Sequence, residues 1–155
     1  MRLRLRGAGA ALAAVMLLAG CGEEPVAATR TAGADGREIG VLVEQAALAA
    51  VGDDIRQFVA TRRGRINWGG GTAEDIATTI EHGYRISVVV LPSGPALDRV
   101  RDELLEPPTK IGTLGPDTSW ACAVDQFGRP FVRFLTTRAG RRVLRAHGFE
   151  VPPPA

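Results

Sequence analysis

Aromatic residues, lysine, cysteine and long apolar runs are all scarce in this chain of 155 residues. Aromatic side chains make up 5% of the sequence against 45% for hydrophobic residues as a whole, so the core must consist mainly of Val, Leu, Ile and Ala. Lys110 is the single lysine, and Cys21 and Cys122 are the two cysteines. The length leaves room for one domain of ordinary size.

The charge balance argues against a nucleic-acid partner. The formal net charge is +2, and the excess comes from Arg2, Arg4 and Arg6, without which 16 basic residues face 17 acidic ones. Binding to a phosphate backbone requires a surplus of basic side chains, which is missing here. The sequence also has no nucleophile elbow, no metal-ligand spacing and no paired carboxylates that suggest a cleft. We therefore expect no enzyme activity, no metal and no cofactor.

The longest apolar run lies near the N-terminus, from about residue 7 to residue 18, directly after the three arginines. A membrane-spanning helix needs ~20 apolar residues, so this shorter run is more typical of a signal peptide. It ends in "LAGC", residues 18–21, which resembles the lipobox of bacterial lipoproteins. In that family the cysteine thiol receives a diacylglycerol, and cleavage of the peptide bond that precedes the cysteine exposes a new N-terminus.

The lipobox resemblance implies a division of the chain and a location. Residues 1–20 are the expected lipoprotein signal peptide, and Cys21 is the expected lipidated residue. Residues 21–36 are mostly small and polar and contain Gly and Pro, which predicts a flexible tether to a domain at 37–155. The protein is then expected at the cell membrane, lipid-anchored on the extracytoplasmic face. Cys122 lies in the apolar run "SWACAV" and is expected to be a buried free thiol, with a reactive thiol as the alternative.

Apolar runs and amphipathic segments alternate after residue 36. The runs "REIGVLVEQ" and "YRISVVVLP" predict strands, and "GRINWGGG" predicts a short strand that ends in a turn. A segment with helical spacing follows each strand, and the predicted buried stripe of the third helix includes Leu105. "IGTLGPDTSWACAV" predicts one or two further strands, and two short helices are predicted at 130–135 and 138–146, the second with Gly148 as its C-terminal cap and Phe149 folding back. Alternation with short connections predicts an α/β fold with a mostly parallel sheet and helices on both faces.

The stretch "NWGGGTAED", residues 67–75, allows two interpretations. Gly70, Gly71 and Thr72 could present backbone N–H groups to an anion at a helix N-terminus. Alternatively, the stretch is a short strand that ends in a glycine turn, with Thr72 as the helix N-cap and Asp75 completing a capping-box-like pair. Glu74 and Asp75 in the first helical turn offset the helix dipole, which favours the capping interpretation.

Other polar residues have a similar double interpretation. Ser93 follows the third strand and is expected to cap the next helix, with ligand contact as its second possible role. Gln45 could reach a ligand across the end of the first strand. His147, just before Gly148, favours pairing with a helix C-terminus. The arginines at 138, 141, 142 and 145 predict a solvated helix face, or a contact with a protein or with anionic headgroups.

Three segments together resemble the molybdate-type extracellular substrate-binding proteins. They are "INWGGGTAEDIATTIEHGYRISVVVLPSGPALDRV", "EPPTKIGT" and the closing "RFLTTRAGRRVLRAHGFEVPP". The resemblance implies a fold like one lobe of a type 2 periplasmic binding protein. It implies binding of a small solute, such as an oxyanion, and delivery to an ABC permease. Gln45, Gly70, Gly71, Thr72 and Ser93 are the ligand-binding candidates on this basis.

Two departures from the family pattern open an alternative. Family members are about twice as long, and here the chain passes from Lys110 almost directly to the closing helices, so the second lobe is missing. Positions where the family has serine are Ala46 or Ala47 and Gly70 or Gly71, and Glu44 adds a negative charge nearby. The alternative function is an accessory or scaffold lipoprotein that binds a protein partner, and a third possibility is a dimer in which two copies imitate two lobes.

Overall fold

The structure is a computed structural model that describes residues 38–62 and 65–153. The predicted signal peptide, Cys21 and the predicted tether lie outside these residues. The strands are β1 (Glu38–Glu44), β2 (Arg65–Gly71), β3 (Val88–Pro92), β4 (Thr109–Leu114) and β5 (Asp117–Ala123). The helices are α1 (Leu48–Thr61), α2 (Ala73–Glu81), α3 (Pro95–Arg99), α4 (Arg129–Leu135) and α5 (Arg138–Ala146).

The five strands form one mixed sheet in the order β2-β1-β3-β5-β4. β1 is parallel to both β2 and β3, as the α/β alternation predicts. β5 is antiparallel to β3, and β4 and β5 form an antiparallel pair joined at Gly115 and Pro116. Gly115 has a φ of 59°, which glycine adopts without strain, so a tight connection is possible there.

Helices cover both faces of the sheet, which confirms the predicted α/β class. Side chains alternate between the faces along each strand. Val41, Val43, Val88 and Val90 pack with α1, α4 and α5 on one face. On the other face, strand residues that include Leu42, Val89, Leu91 and Cys122 pack with α2 and α3. Because the central strand β3 is buried on both faces, its sequence is almost continuously apolar.

The last helix ends as the sequence predicts. Gly148 has a φ of 86°, its N–H donates to the Arg145 carbonyl, and the Phe149 N–H donates to the Leu144 carbonyl. These two bonds make a Schellman motif and return the buried Phe149 to the core. In the part of the chain that the structure describes, no helix combines the length and apolar character needed to cross a membrane.

Three local predictions are wrong. The glycines at 69–71 belong to β2 and pair with β1, so the predicted glycine turn shrinks to Thr72 alone. Leu105, predicted in the buried stripe of α3, is 44% exposed because the α-helix ends at Arg99 and the chain continues as a 3-10 turn at 101–103. Ser93 does not cap α3, since the N-cap position is Gly94, with a φ of 138°.

Candidate functional site

The sequence-predicted candidates lie along one edge of the sheet, where β2, β1 and β3 end. Glu44 at the end of β1 is paired with Gly71 at the end of β2, and Val43 is paired with both Gly70 and Val90. Gln45, Gly70, Gly71, Thr72 and Ser93 therefore share one edge, which we call the carboxyl edge. Open α/β sheets bind ligands outside the carboxyl ends of their parallel strands, so the position of these residues suits a binding site.

The two glycines at this edge have different roles. A Cβ atom on Gly70 would lie 2.5 Å from Leu48 Cδ2 and 3.3 Å from Gln45 Oε1, so a larger residue there would force these two side chains to move. A Cβ on Gly71 would have its nearest neighbour at 3.8 Å, on Ile76. Gly71 is thus the place where the edge leaves unfilled space.

Thr72 is the N-cap of α2, which confirms the capping interpretation. The Asp75 N–H donates to Thr72 Oγ1 at 3.1 Å, and the Thr72 hydroxyl donates to Asp75 Oδ2 at 2.7 Å. The hydroxyl proton of Thr72 is therefore already used within the chain. In the described part of the chain the N–H groups of Ala73 and Glu74 have no hydrogen-bond acceptor, as expected for a first helical turn.

The carboxyl edge carries more carboxylates than cations. Glu44 Oε2 accepts the Ala46 N–H at 2.9 Å and so occupies the start of the turn that leads into α1. Glu74 is offset by Arg99 at 2.5 Å, and Arg99 also binds Glu81 at 2.5 Å, which ties α2 to α3. The hydrogen bond from Arg99 holds the pKa of Glu81 below its ordinary value. An anion at this edge would meet Glu44 and Asp75, neither of which forms an ion pair in the described residues.

Ser93 supports a tryptophan at the edge. The Trp120 indole Nε1–H donates to Ser93 Oγ at 2.7 Å, and the Ser93 N–H donates to the Thr118 carbonyl at 2.8 Å. Trp120 packs against the α2–α3 side of the core and is partly exposed. Ser93 and Trp120 lie 27 positions apart in the chain, so the sequence gives no sign of this contact.

A second concave region lies at β4, on the side of α4 and α5, and shares no residue with the carboxyl edge. It is a pocket of about 280 Å³. Its lining residues are Thr109, Lys110, Ile111, Leu135, Thr136, Arg141 and the tail at 151–153. Sequence reasoning missed it as a site, although the single lysine and the arginine run were visible signals.

Buried and paired acidic groups occur on α1. Asp54 has no exposed surface, and both of its carboxylate oxygens lack a hydrogen-bond partner in the described residues. Burial, with a contribution from the neighbouring Asp53 charge, raises the pKa of Asp54 to about 8. Asp53 binds Arg56 and the His147 ring, the latter at 2.7 Å, and both bonds lower its pKa. His147 therefore joins α5 to α1 through a carboxylate, in addition to its position at a helix end.

The described residues give little support to a reactive thiol or to a metal site. Cys122 is buried, and burial raises the pKa of its thiol to about 12, so the predicted inert thiol is confirmed. Among residues 38–62 and 65–153 no group of three potential metal-ligating His, Cys, Asp or Glu side chains comes together.

Comparison with known proteins supports the fold. No protein-family model matches the chain, and no curated protein sequence matches it. The structure is similar to the solved substrate binding domain of a putative molybdenum ABC transporter from Clostridium difficile, with a TM-score of 0.66 and 7% sequence identity. The match covers 75% of this chain and 99% of that chain, so the solved domain is about the size of the part described here. The likeness shows a fold of the kind found in a periplasmic binding protein domain.

Proposed function

We propose that this protein is a lipid-anchored, extracytoplasmic, solute-binding-like component of an ABC importer, of the molybdate or oxyanion type. One observation carries the proposal: residues from three separate stretches, Gln45, Gly70–Thr72 and Ser93, meet at the carboxyl edge of a sheet that has the fold of a substrate-binding domain. That edge is where open α/β sheets bind small molecules.

The free donors at the edge favour a small acceptor-rich solute. The unpartnered N–H groups of Ala73 and Glu74 lie at the positive end of the α2 dipole. Gly71 leaves the space in which an oxygen atom could approach them. The solute would thus be held by backbone N–H groups, in place of the serine hydroxyls that the family resemblance implies.

The N-terminal sequence supports the anchored location. The basic residues, the apolar run and "LAGC" are in the order that a lipoprotein signal requires. A flexible 16-residue tether has a root-mean-square span of roughly 22 Å. The domain would therefore stay within reach of a permease in the same membrane.

A thermal-shift panel tests solute binding with the purified full chain in detergent. Molybdate, tungstate, sulfate, phosphate, sugars and amino acids are added separately. A ligand at 100 times its Kd stabilises the fold by about 2.7 kcal/mol, which corresponds to a rise of about 10 °C in Tm. We expect such a rise with at least one oxyanion.

Gly71→Val tests whether the ligand occupies the carboxyl edge. The Cβ atom of the new side chain meets no atom closer than 3.8 Å, and its two methyl groups would crowd a ligand that lies against Gly71, so the variant should lose the ligand-induced shift. Thr136→Val changes a residue away from this edge and is the control, which should keep the shift. No shift with any solute, or an unchanged shift in Gly71→Val, contradicts the proposed site.

The carboxyl edge also supports an accessory or scaffold lipoprotein as a second candidate function. The polar side chains there are largely committed within the chain: Thr72 to Asp75, Glu44 to Ala46 and Ser93 to Trp120. This candidate predicts that a membrane protein is crosslinked to the chain in cells without added solute. If the chain yields no crosslinked partner and its mass from scattering excludes a dimer, solute binding is the one candidate of the three that remains.

A further inference from the structure

We propose that the outer side of β2, which we call the β2 edge, pairs with the β2 edge of a second copy of this chain. β2 is the terminal strand of the sheet, and among the described residues the backbone groups of residues 65–71 have no hydrogen-bond partner outside β1. An unpaired strand edge is a row of N–H and C=O groups that another strand can bind. The proposal does not rest on solute binding at the carboxyl edge.

The opposite side of the sheet is covered by the chain itself. Thr113 of β4 and Glu150 exchange two backbone hydrogen bonds of 2.9 Å, which hold the start of the tail along the outer side of β4. In the part of the chain that the structure describes, β2 has no such cover. It also contains neither proline nor lysine, which often protect strand edges, and its three glycines carry no side chain. The β2 edge is therefore the open side of the sheet.

Twofold symmetry determines how two copies of β2 pair. Two β2 strands related by a twofold axis run antiparallel, and the register that pairs all seven residues places Trp68 opposite its counterpart in the second copy. Trp68 is 40% exposed, and its ring lies against Gly52 of α1, where an added Cβ would be 2.6 Å away. Aromatic residues directly opposite each other stabilise antiparallel pairs. Pairing would therefore cover exposed ring surface at the centre of the interface.

The same register brings opposite charges together. Arg65 at the start of β2 lies opposite Gly71 of the second copy, and opposite residues of an antiparallel pair point to the same face of the sheet. Their Cβ atoms are about 5 Å apart. The Asp75 Cβ lies 3.9 Å from the position of a Cβ on Gly71. The Arg65 guanidinium can therefore reach the Asp75 carboxylate of the second copy, and the symmetric dimer has this ion pair twice.

Both charges are available for this contact. Arg65 and Asp75 are exposed, and neither forms an ion pair in the described residues. Glu38 lies opposite Arg65 on β1, but its carboxylate accepts a hydrogen bond from Asn67. Asp75 Oδ2 accepts the Thr72 hydroxyl at 2.7 Å, and its Oδ1 stays open to a second donor. The second copy would thus offset one of the negative charges at the carboxyl edge.

The mass of the purified full chain in detergent tests the dimer. Light scattering over a dilution series, with the mass of bound detergent subtracted, should give twice the mass of one chain without added solute. Arg65→Asp should weaken the dimer at least tenfold, because it places two carboxylates together at each end of the interface. Arg138→Asp reverses the same charge at an exposed position on α5 and should change the dissociation constant less than twofold. A monomeric natural chain, or equal weakening by the two variants, overturns the proposal.

A charge exchange separates the proposed contact from a folding defect. Asp75→Arg should also weaken the dimer at least tenfold, because it places two guanidinium groups together. In an equimolar mixture of Arg65→Asp and Asp75→Arg chains, each reversed charge faces a charge of opposite sign across the interface. The mixture should therefore associate with a dissociation constant within threefold of that of the natural chain. A mixture that associates no better than either variant alone overturns the proposed interface.

Discussion

At the scale of single residues, polar side chains at the carboxyl edge form hydrogen bonds with other groups of the same chain. Thr72 caps α2, Glu44 accepts the Ala46 N–H, and Ser93 accepts the Trp120 indole N–H. The remaining donors are backbone N–H groups beside Gly71. The stretch "NWGGGTAED" is therefore first a strand end and a helix cap, and a ligand would be held there by the backbone.

The variant Glu44→Gln should bind an oxyanion more tightly than the natural chain. It removes a negative charge from the carboxyl edge but keeps an oxygen that accepts the Ala46 N–H. We expect an affinity gain of about fivefold, or ~1 kcal/mol, for molybdate by calorimetry. Glu103→Gln, an exposed change on the 3-10 turn at 101–103, should have no effect. An unchanged or lower affinity in Glu44→Gln would count against an anion at this edge.

Asp54 should make the fold less stable as the pH rises. Its pKa is about 8 in the folded chain against 3.8 for an ordinary aspartate, so the folded state keeps a proton that the unfolded state has lost. The free energy of unfolding should fall between about pH 4 and pH 8. Asp54→Asn cannot ionise, so its stability should depend less on pH and exceed that of the natural chain at pH 8 by about 2 kcal/mol.

Urea unfolding at pH 5 and pH 8 measures this difference. Asp102→Asn is the matched control, because Asp102 is exposed and should leave the pH dependence unchanged. A pH dependence in Asp54→Asn equal to that of the natural chain would show that Asp54 is not the responsible group.

At the scale of helices and strands, signals that depend on neighbours in sequence were reliable. The apolar run at Val88–Leu91 predicts the buried central strand, Thr72 predicts the start of α2, and Gly148 predicts the end of α5. In each case the physical cause is local, either burial on both faces or a backbone group that needs a cap.

Features that depend on distant residues were missed. The sequence predicts a turn at glycines 69–71 because glycine is unfavourable in strands. Pairing with β1 overrides that preference and places the three glycines in β2. The sequence predicts that Ser93 caps a helix, because its actual partner, Trp120, is 27 positions away and leaves no local signal. The pocket at β4 depends on how the tail packs beside Lys110, and no pattern along the chain encodes that contact.

Gly140 should be essential for the packing of α5 against the end of α4. A Cβ there would lie 2.5 Å from the Phe134 carbonyl oxygen and 2.8 Å from Leu135 Cα, both of them backbone atoms. Gly140→Ala should therefore destabilise the fold by at least about 2 kcal/mol, although alanine favours a helix by about 1 kcal/mol. Gly71→Ala, which meets no atom closer than 3.8 Å, is the control for urea unfolding. Equal stability of the two variants would contradict the close approach.

At the scale of the whole molecule, the domain that the structure describes would cover a solute at the carboxyl edge on one side only. Small-molecule pockets ordinarily bury about 70–90% of their ligand, and an open sheet edge cannot do so alone. In our account a permease or a second copy of the chain would provide the remaining coverage. Solute binding to the isolated chain should therefore be weaker than binding to its membrane complex.

Cys21→Ala should release the protein from the membrane. A chain without the thiol cannot receive the diacylglycerol that the "LAGC" resemblance implies, and acyl chains contribute about 0.8 kcal/mol for each buried CH₂. Cell fractionation and immunoblotting should find the variant in the soluble fraction. Cys122→Ala is the matched control and should stay in the membrane fraction, while retention of Cys21→Ala there would contradict lipid anchoring.

An NMR titration of the isotope-labelled full chain with molybdate tests oxyanion binding at the carboxyl edge most directly. We expect saturable chemical-shift changes in the backbone N–H groups of Gly71, Ala73 and Glu74, with little change at Lys110 or Arg141. Changes confined to the pocket at β4, or no saturable change anywhere, would contradict oxyanion binding at the carboxyl edge.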